Sequence, residues 1–364
     1  MKAPVVVFAV LAASIGFFAC VQSFAPAERL TSARVLAIRA NPVELEPDAS
    51  VTFEALVYVP NDAGSSPPTW AWSWCPQLGS SSDNYACAIS SEALSSALFP
   101  DAGAAFTYDG GSASTMAFSW PVPPALLETL CVAGQQSAVT DGGTDAGEDA
   151  GADGGTDAGA STIRLVCPNS SLTLAVLLSV GVGERQISAT RSLTASFKVP
   201  TAATTNPSIT SLSAALDGGT AIATGGRLIA GQSYTLTAVV PASACDQYQQ
   251  TIFVPSVADG GEDGGDDGGF MFPPGMRVTV TELEGLSIAW YIEEGSLASA
   301  TTQLAPGQLD DAGTDDRDFA ALVTNTWTIP ASTRGTVKVI AVIRDTRNGL
   351  DWLESSFDVQ GGTP

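Results

Sequence analysis

Residues 51–59 read Val-Thr-Phe-Glu-Ala-Leu-Val-Tyr-Val, and Val51, Phe53, Ala55, Val57 and Val59 mostly alternate with more polar neighbours. A period of two predicts a strand with one face in a core. The run Ala33–Arg39 before it is strand-like and stops at Asn41-Pro42. After it comes Thr69-Trp70-Ala71-Trp72-Ser73-Trp74-Cys75-Pro76. Successive side chains alternate in an extended chain, so its three Trp rings share one face. Two short runs at 106–108 and 116–120 flank Asp109-Gly110-Gly111, which predicts a turn between them. Pro123-Pro124 followed by Ala125–Leu130 predicts one or two helical turns. Apolar runs at 173–180 and 193–199 close the first half.

The second half repeats this order. Tyr234–Val240 answers 51–59, and Ser287–Tyr291, with Trp290, answers the Trp strand. Trp327-Thr328-Ile329-Pro330 answers Trp120-Pro121-Val122-Pro123. Thr336–Val342 answers 173–180, and Ser356–Val359 answers Ser196–Val199. Asn348-Gly349 between apolar runs predicts a hairpin, because both residues accept positive φ. About seven short strands per unit, with a Trp on an early strand, predict an all-β chain of two immunoglobulin-like antiparallel β-sandwich domains. Fibronectin-type or PKD-like variants fit the same pattern.

Ahead of these units stands Met1-Lys2 and then an uncharged apolar stretch from Pro4 to Ala19, ending at Cys20. Sixteen residues suit a signal peptide and fall short of the roughly 20 that span a bilayer. The stretch resembles a bacterial lipoprotein signal, in which the cysteine becomes residue one and is acylated. Ala19 fits that pattern, Phe17 is tolerated where the pattern has Leu, and Phe18 departs from it. Cleavage after Ser23 or Ala27, or retention as a short anchor, are the other readings, and all three export the chain. The expected organisation is a signal peptide at 1–19, a tether at 20–32, a first sandwich at 33–200, a linker at 201–207 and a second sandwich at 208–360. The resemblance implies an outer-membrane or cell-surface location through a lipid on Cys20; the alternative is a secreted or periplasmic protein.

The formal net charge of -23 changes the picture less than its placement. Tracts at 140–160, 259–269 and 310–318 hold 16 of the 38 acidic residues, leaving the rest only mildly acidic. These tracts read as solvated insertions, because they bury too little apolar area to offset their ordering entropy. Asp recurs every four residues from Asp141 to Asp157, and neither that spacing nor Glu262–Asp267 matches a calcium loop. No cofactor or metal is expected. The only lysines are Lys2, Lys198 and Lys338, so nucleic acid is not a partner. Histidine is absent, which removes Ser-His-Asp and Cys-His catalysis and imidazole-held zinc.

What chemistry remains is sparse. Trp70, Trp72 and Trp74 are a candidate ligand platform for stacking sugar rings, weighed against rings filling the gap between two sheets. Cys75, Cys87, Cys131, Cys167 and Cys245 remain once Cys20 is lipidated or removed, and the expected disulfides are Cys75–Cys87 and Cys131–Cys167. Glu282, Glu284, Glu293 and Glu294 are the carboxylates a glycosidase would need, with solvated strand ends as the competing account.

Asn41-Pro42, the Trp strand, the Asp-Gly-Gly tracts and Arg344-Asp345-Thr346-Arg347-Asn348-Gly349 together resemble uncharacterised myxobacterial-type surface lipoproteins with immunoglobulin- or PKD-like domains. The resemblance implies architecture and export and carries over no catalytic residue. The expected function is a non-catalytic structural, adhesive or partner-binding module, with a protein or polysaccharide partner at the cell surface. A carbohydrate-binding protein using the Trp stripe is the alternative.

Overall fold

The computed structural model describes residues 26–46, 49–61, 66–79, 86–98, 107–119, 131–132, 165–166, 171–196, 204–244, 247–253, 277–304 and 321–361. The first unit contains β1 (Arg34–Asn41), β2 (Ser50–Tyr58), β3 (Thr69–Cys75), a helix α1 (Ser91–Leu98), β4 (Asp109–Gly111) and β5 (Thr115–Ser119). It continues with β6 (Cys131–Val132), β7 (Leu165–Val166), β8 (Ser171–Val182) and β9 (Arg185–Ser196). One sheet has the order β1-β2-β5 and the other β4-β3-β8-β9. Between them lies a core of Ile38, Ala40, Val51, Phe53, Trp72, Trp74, Met116, Leu174, Val176, Leu178 and Leu193, among others.

The second unit contains β10 (Ser211–Leu216), β11 (Ile222–Ala223), β12 (Arg227–Ile229), β13 (Ser233–Val240), β14 (Gln247–Phe253) and β15 (Arg277–Leu283). There follow β16 (Leu286–Ile292), β17 (Ser296–Leu297), β18 (Thr301–Leu304), β19 (Ala321–Thr328), β20 (Gly335–Asp345) and β21 (Leu350–Gln360). Its sheets run β11-β10-β13-β19-β17 and β12-β21-β20-β16-β18. Stripped of short edge strands, β10-β13-β19 repeats β1-β2-β5, and β18-β16-β20-β21 repeats β4-β3-β8-β9. Both units are therefore immunoglobulin-like antiparallel sandwiches with one strand order.

Register corrects three local expectations. Trp327 stands opposite Tyr234, and the matching place opposite Val51 belongs to Phe118. The correspondence of Trp120 with Trp327 thus slips by two residues. Asp109-Gly110-Gly111 is not a turn but β4, paired with β3, and the chain reverses at 112–114. Gly110 permits this because a Cβ there would lie 2.9 Å from the Trp72 Cβ and 2.2 Å from the Met116 sulfur. Asn348-Gly349 does sit in the hairpin between β20 and β21, but Arg344 pairs with Leu350, so the loop is longer than two residues. Only Asn348 of that pair takes positive φ, at 73°. The expected helical turns at 125–130 lie outside the described residues, and α1 carries a Ser90 N-cap, whose Oγ accepts from Ala93 N at 3.1 Å.

The two units meet sheet against sheet. The inner face of β2 carries Val51 and Phe53, while Leu56 and Tyr58 on its other face join Leu36, Ala37, Ile340, Val342 and Leu350 in a separate buried cluster. A bulge in β1 supports this arrangement: pairing with β2 skips a residue between Val35 and Ala37. Consecutive Leu36 and Ala37 consequently face the second unit, while Val35 and Ile38 face the first core. On β20, Val339, Ala341 and Ile343 face the second core, and Ile340 and Val342 face the first unit. Four sheets thus enclose three apolar layers. The six leucine, isoleucine and valine side chains buried in the middle layer represent on the order of 10 kcal/mol of gross apolar burial.

Candidate functional site

The polar groups that converge most densely do so around the seam of the middle layer, at the loop between β20 and β21. Asp345 shapes this loop, its Oδ1 accepting from Arg347 N at 2.8 Å and Gly349 N at 2.7 Å. Arg347 donates to Glu284, whose side chain is only 1% exposed. Gly349 is packed so closely that a Cβ would meet Asp345 Oδ2 at 1.9 Å and Pro207 Cδ at 2.8 Å. Around this loop three side chains bridge the seam. Arg344 Nη2 donates to the Leu36 carbonyl at 3.3 Å. Arg191, on β9, donates to the Asn348 carbonyl. Asn206 bridges both units, its Nδ2 donating to the Ala40 carbonyl at 2.8 Å and its Oδ1 accepting from Leu350 N at 2.8 Å.

Leu36 and Ala40 lie in β1, at the margin of its sheet, and these contacts cap carbonyls on an edge that no other strand among the described residues pairs with. The seam is completed by Arg39, which pairs with Glu54 and Asp351 and lies 4.6 Å over the Trp352 ring. At its far end Tyr58 donates to Glu293 at 3.1 Å, and Arg29 pairs with Glu294 at 3.0 Å.

Between β1, β9 and the loop lies a cleft of about 370 Å³. Its walls include Leu36, Ile38, Ala189 and Leu350, and Arg191, Arg344 and Asp345 line it as well. Arg191 Nε is buried without a hydrogen-bond partner. Burial pulls the Arg191 guanidinium down to about 10, with Arg344 acting in the same direction and Asp345 against it. It remains a cation at neutral pH.

The residues singled out from the sequence fall elsewhere. Trp72 and Trp74 are 2% and 4% exposed, and Trp70 packs half-buried against the same core. The Trp70, Trp72, Trp74 platform is thus corrected: the shared face of the three rings points between the sheets, where apolar area is removed from water. Trp72 Nε1 donates to the Ala113 carbonyl at 2.9 Å, and Trp74 meets Tyr108 edge-on at 4.9 Å between ring centres. Cys75 and Cys87 form a disulfide, with Cα atoms 5.6 Å apart. β6 and β7 pair in parallel, setting Cys131 opposite Leu165. The Cys131–Cys167 pairing, Cys245, Cys20 and the three acidic tracts lie outside the described residues.

Glu282 lies on β15, and Glu284 is not brought together with Glu293 and Glu294. Glu284 precedes β16 and Glu293 and Glu294 follow it, which puts them about 30 Å apart along the strand. That separation exceeds the roughly 5–10 Å over which two carboxyls flank a glycosidic bond. Glu293 is further occupied by Lys338 N at 2.7 Å. Among the described residues no three His, Cys, Asp or Glu side chains are grouped to hold a metal ion. Nor is any helix long and apolar enough to cross a membrane. The chain segments expected as tether and linker contribute to the seam. Leu30 N donates to the Ile292 carbonyl at 2.8 Å, and Thr204 is buried beside Glu44. Neither the capped edge nor the cleft was foreseen. Arg344–Gly349 was noted only as a motif, and the continuous apolar run of β20 was the available signal for burial on both faces.

No family model matches the sequence, and no curated protein matches it. Among solved structures, the native Escherichia coli alpha-2-macroglobulin is similar over 91% of this chain and 17% of its own, at 9% identity and a TM-score of 0.23. The C-terminal domain of the Streptococcus pyogenes antigen I/II-family protein AspA is similar over 90% of this chain and 98% of its own, at 8% identity and a TM-score of 0.19. Cadherin-like domains 1 to 4 of zebrafish RET are similar over 53% of this chain and 34% of their own, at 10% identity and a TM-score of 0.15. The chain spans about 17% of the macroglobulin's length, and at these TM-scores nothing of any neighbour's activity transfers to it.

Proposed function

We propose that this chain is a non-catalytic bacterial cell-surface lipoprotein, anchored through a lipid on Cys20, whose two sandwiches act as one stiff structural or adhesive module. The observation that carries this reading is the apolar middle layer, reinforced by the polar seam. Units joined by a short linker alone swivel by default, and a large apolar contact removes that freedom. Such a body holds whatever it contacts at a fixed orientation. The separation of Glu284 from Glu293 and Glu294, each with its own partner, supports a non-catalytic role, and the lack of any histidine narrows the chemistry further. The partner in this reading is a protein or polysaccharide at the cell surface.

Cells producing the chain would be fed a clickable fatty acid, then shaved with protease without lysis. The expected result is label on the wild type, none on Cys20→Ala, and loss of the wild-type band on shaving. An unlabelled wild type, or one that resists shaving until the cells are opened, overturns the proposal.

A further inference from the structure

The cleft at the seam has the makings of a ligand site that the structural role does not use. Its walls come from both units: β1 and β9 on one side and the β20–β21 loop on the other. About 370 Å³ lies within the range of small-molecule sites, and more than a single ion needs. Two guanidinium groups, Arg191 and Arg344, line it. Each gives one donor to a carbonyl across the seam, which leaves further N–H groups of its five-donor fork. Arg191 Nε, buried without an acceptor, makes the site short of an oxygen ligand.

Charge selects the class of ligand. Two guanidinium groups against the single Asp345 carboxylate leave a net of one positive charge, which matches a monoanion. A planar carboxylate suits the guanidinium fork. Apolar surface from Ile38, Ala189 and Leu350 leaves room for a compact body behind the carboxylate.

We propose that this cleft binds a small carboxylate-bearing molecule of about one sugar ring, with the carboxylate held between Arg191 and Arg344. The site needs only the assembled joint, so it stands whether or not Cys20 carries a lipid.

The test is calorimetric titration of the folded chain with glucuronate, glucose and inorganic phosphate, the last two supplying the ring without the charge and the charge without the ring. Arg191→Lys and Arg344→Lys are the deciding variants. Each keeps its charge and a donor for the carbonyl across the seam, and each loses the planar fork. The expected result is saturable glucuronate binding, at least tenfold weaker binding of glucose and phosphate, and at least tenfold loss in either lysine variant at an unchanged melting temperature. The proposal is overturned by no glucuronate binding, by equal binding of glucose or phosphate, or by lysine variants that bind as the wild type does.

Discussion

Replacing Asn206 with alanine isolates the seam from the apolar layer beneath it. The side chain satisfies two backbone groups on different units, the Ala40 carbonyl and the Leu350 N–H, each at 2.8 Å. Both residues are buried, at 0% and 4% exposure, so nothing else is placed to replace the amide. An orphaned buried backbone group costs about 1–3 kcal/mol, which brackets the loss at about 2–6 kcal/mol. The neighbouring cleft admits water on one side, which favours the lower part of that range, about 2–3 kcal/mol. Such a change is a large share of the roughly 5–15 kcal/mol that holds a domain folded. It should lower the melting temperature by about 5–10 °C. Urea unfolding followed by tryptophan fluorescence reads it as a lower midpoint at unchanged m. Because the middle layer couples the units, the wild type should unfold in one transition. Asn206→Asp keeps the acceptor for Leu350 N and loses the donor to Ala40, so it should remain destabilised. A midpoint within about 0.5 kcal/mol of wild type for Asn206→Ala, or two separated wild-type transitions, refutes the reasoning.

Further expectations follow from single contacts. Trp72→Ala should destabilise the first unit by about 3–5 kcal/mol in the same urea assay, since its ring is fully buried; a near-neutral result would place that ring outside the core. Cys75→Ala with Cys87→Ala opens a loop with a sequence separation of 12, and the loop-closure model gives a loss of about 3 kcal/mol. Burial, helped by Glu92, pushes the Tyr108 hydroxyl up to about 12. Its folded form holds the proton more tightly than the unfolded chain does, so its contribution is complete below about pH 10 and is lost as pH rises towards 12. Absorbance titration should show one late tyrosine that disappears in Tyr108→Phe.

Alternation made the sandwiches readable, and it did so where one face of a strand meets a core and the other meets water. The β2 pattern predicts its inner face through Val51 and Phe53, while Leu56 and Tyr58 pass as interruptions of a polar face. They are instead the second apolar face of a sheet covered on both sides. β20 carries the same information as an unbroken run from Val339 to Ile343, which alternation alone does not parse. The bulge at Leu36 was illegible, because a bulge is a property of pairing and not of one strand. The Trp stripe shows the converse limit. Extended geometry puts three rings on one face, but the choice between a sheet's inside and outside depends on what is stacked against it. Arg344–Gly349 stood out as a motif, yet its contacts are with Leu36, Arg191 and Glu284, far away in sequence. A single chain read in order gives no means of finding them.

The docked N-terminal segment sets how a lipid anchor would present the module. Glu28 accepts from Ile292 N at 3.0 Å and Leu30 donates to the Ile292 carbonyl, so the chain is fixed to the end of β16 before it enters β1. A lipid on Cys20 would therefore leave eight residues of reach to Glu28, at most about 28 Å, where a free tether to residue 32 would allow about 42 Å. The point of attachment is the joint itself, so both sandwiches would be tied to the bilayer at their shared seam and neither would stand out as the distal domain on a flexible stalk. A fluorescent amino acid at exposed Ser296, four residues beyond Ile292, should lie within about 40 Å of a dye in the outer leaflet of a vesicle carrying the lipidated chain. Ten Gly-Ser residues inserted after Val21 raise that limit by about 35 Å and should sharply reduce energy transfer. Arg29→Ala with Leu30→Ser, which removes the pair with Glu294 and the buried leucine, should reduce transfer by releasing the segment without lengthening it. Transfer that is negligible in the wild type, or indifferent to both changes, would mean that the segment does not set the height of the module.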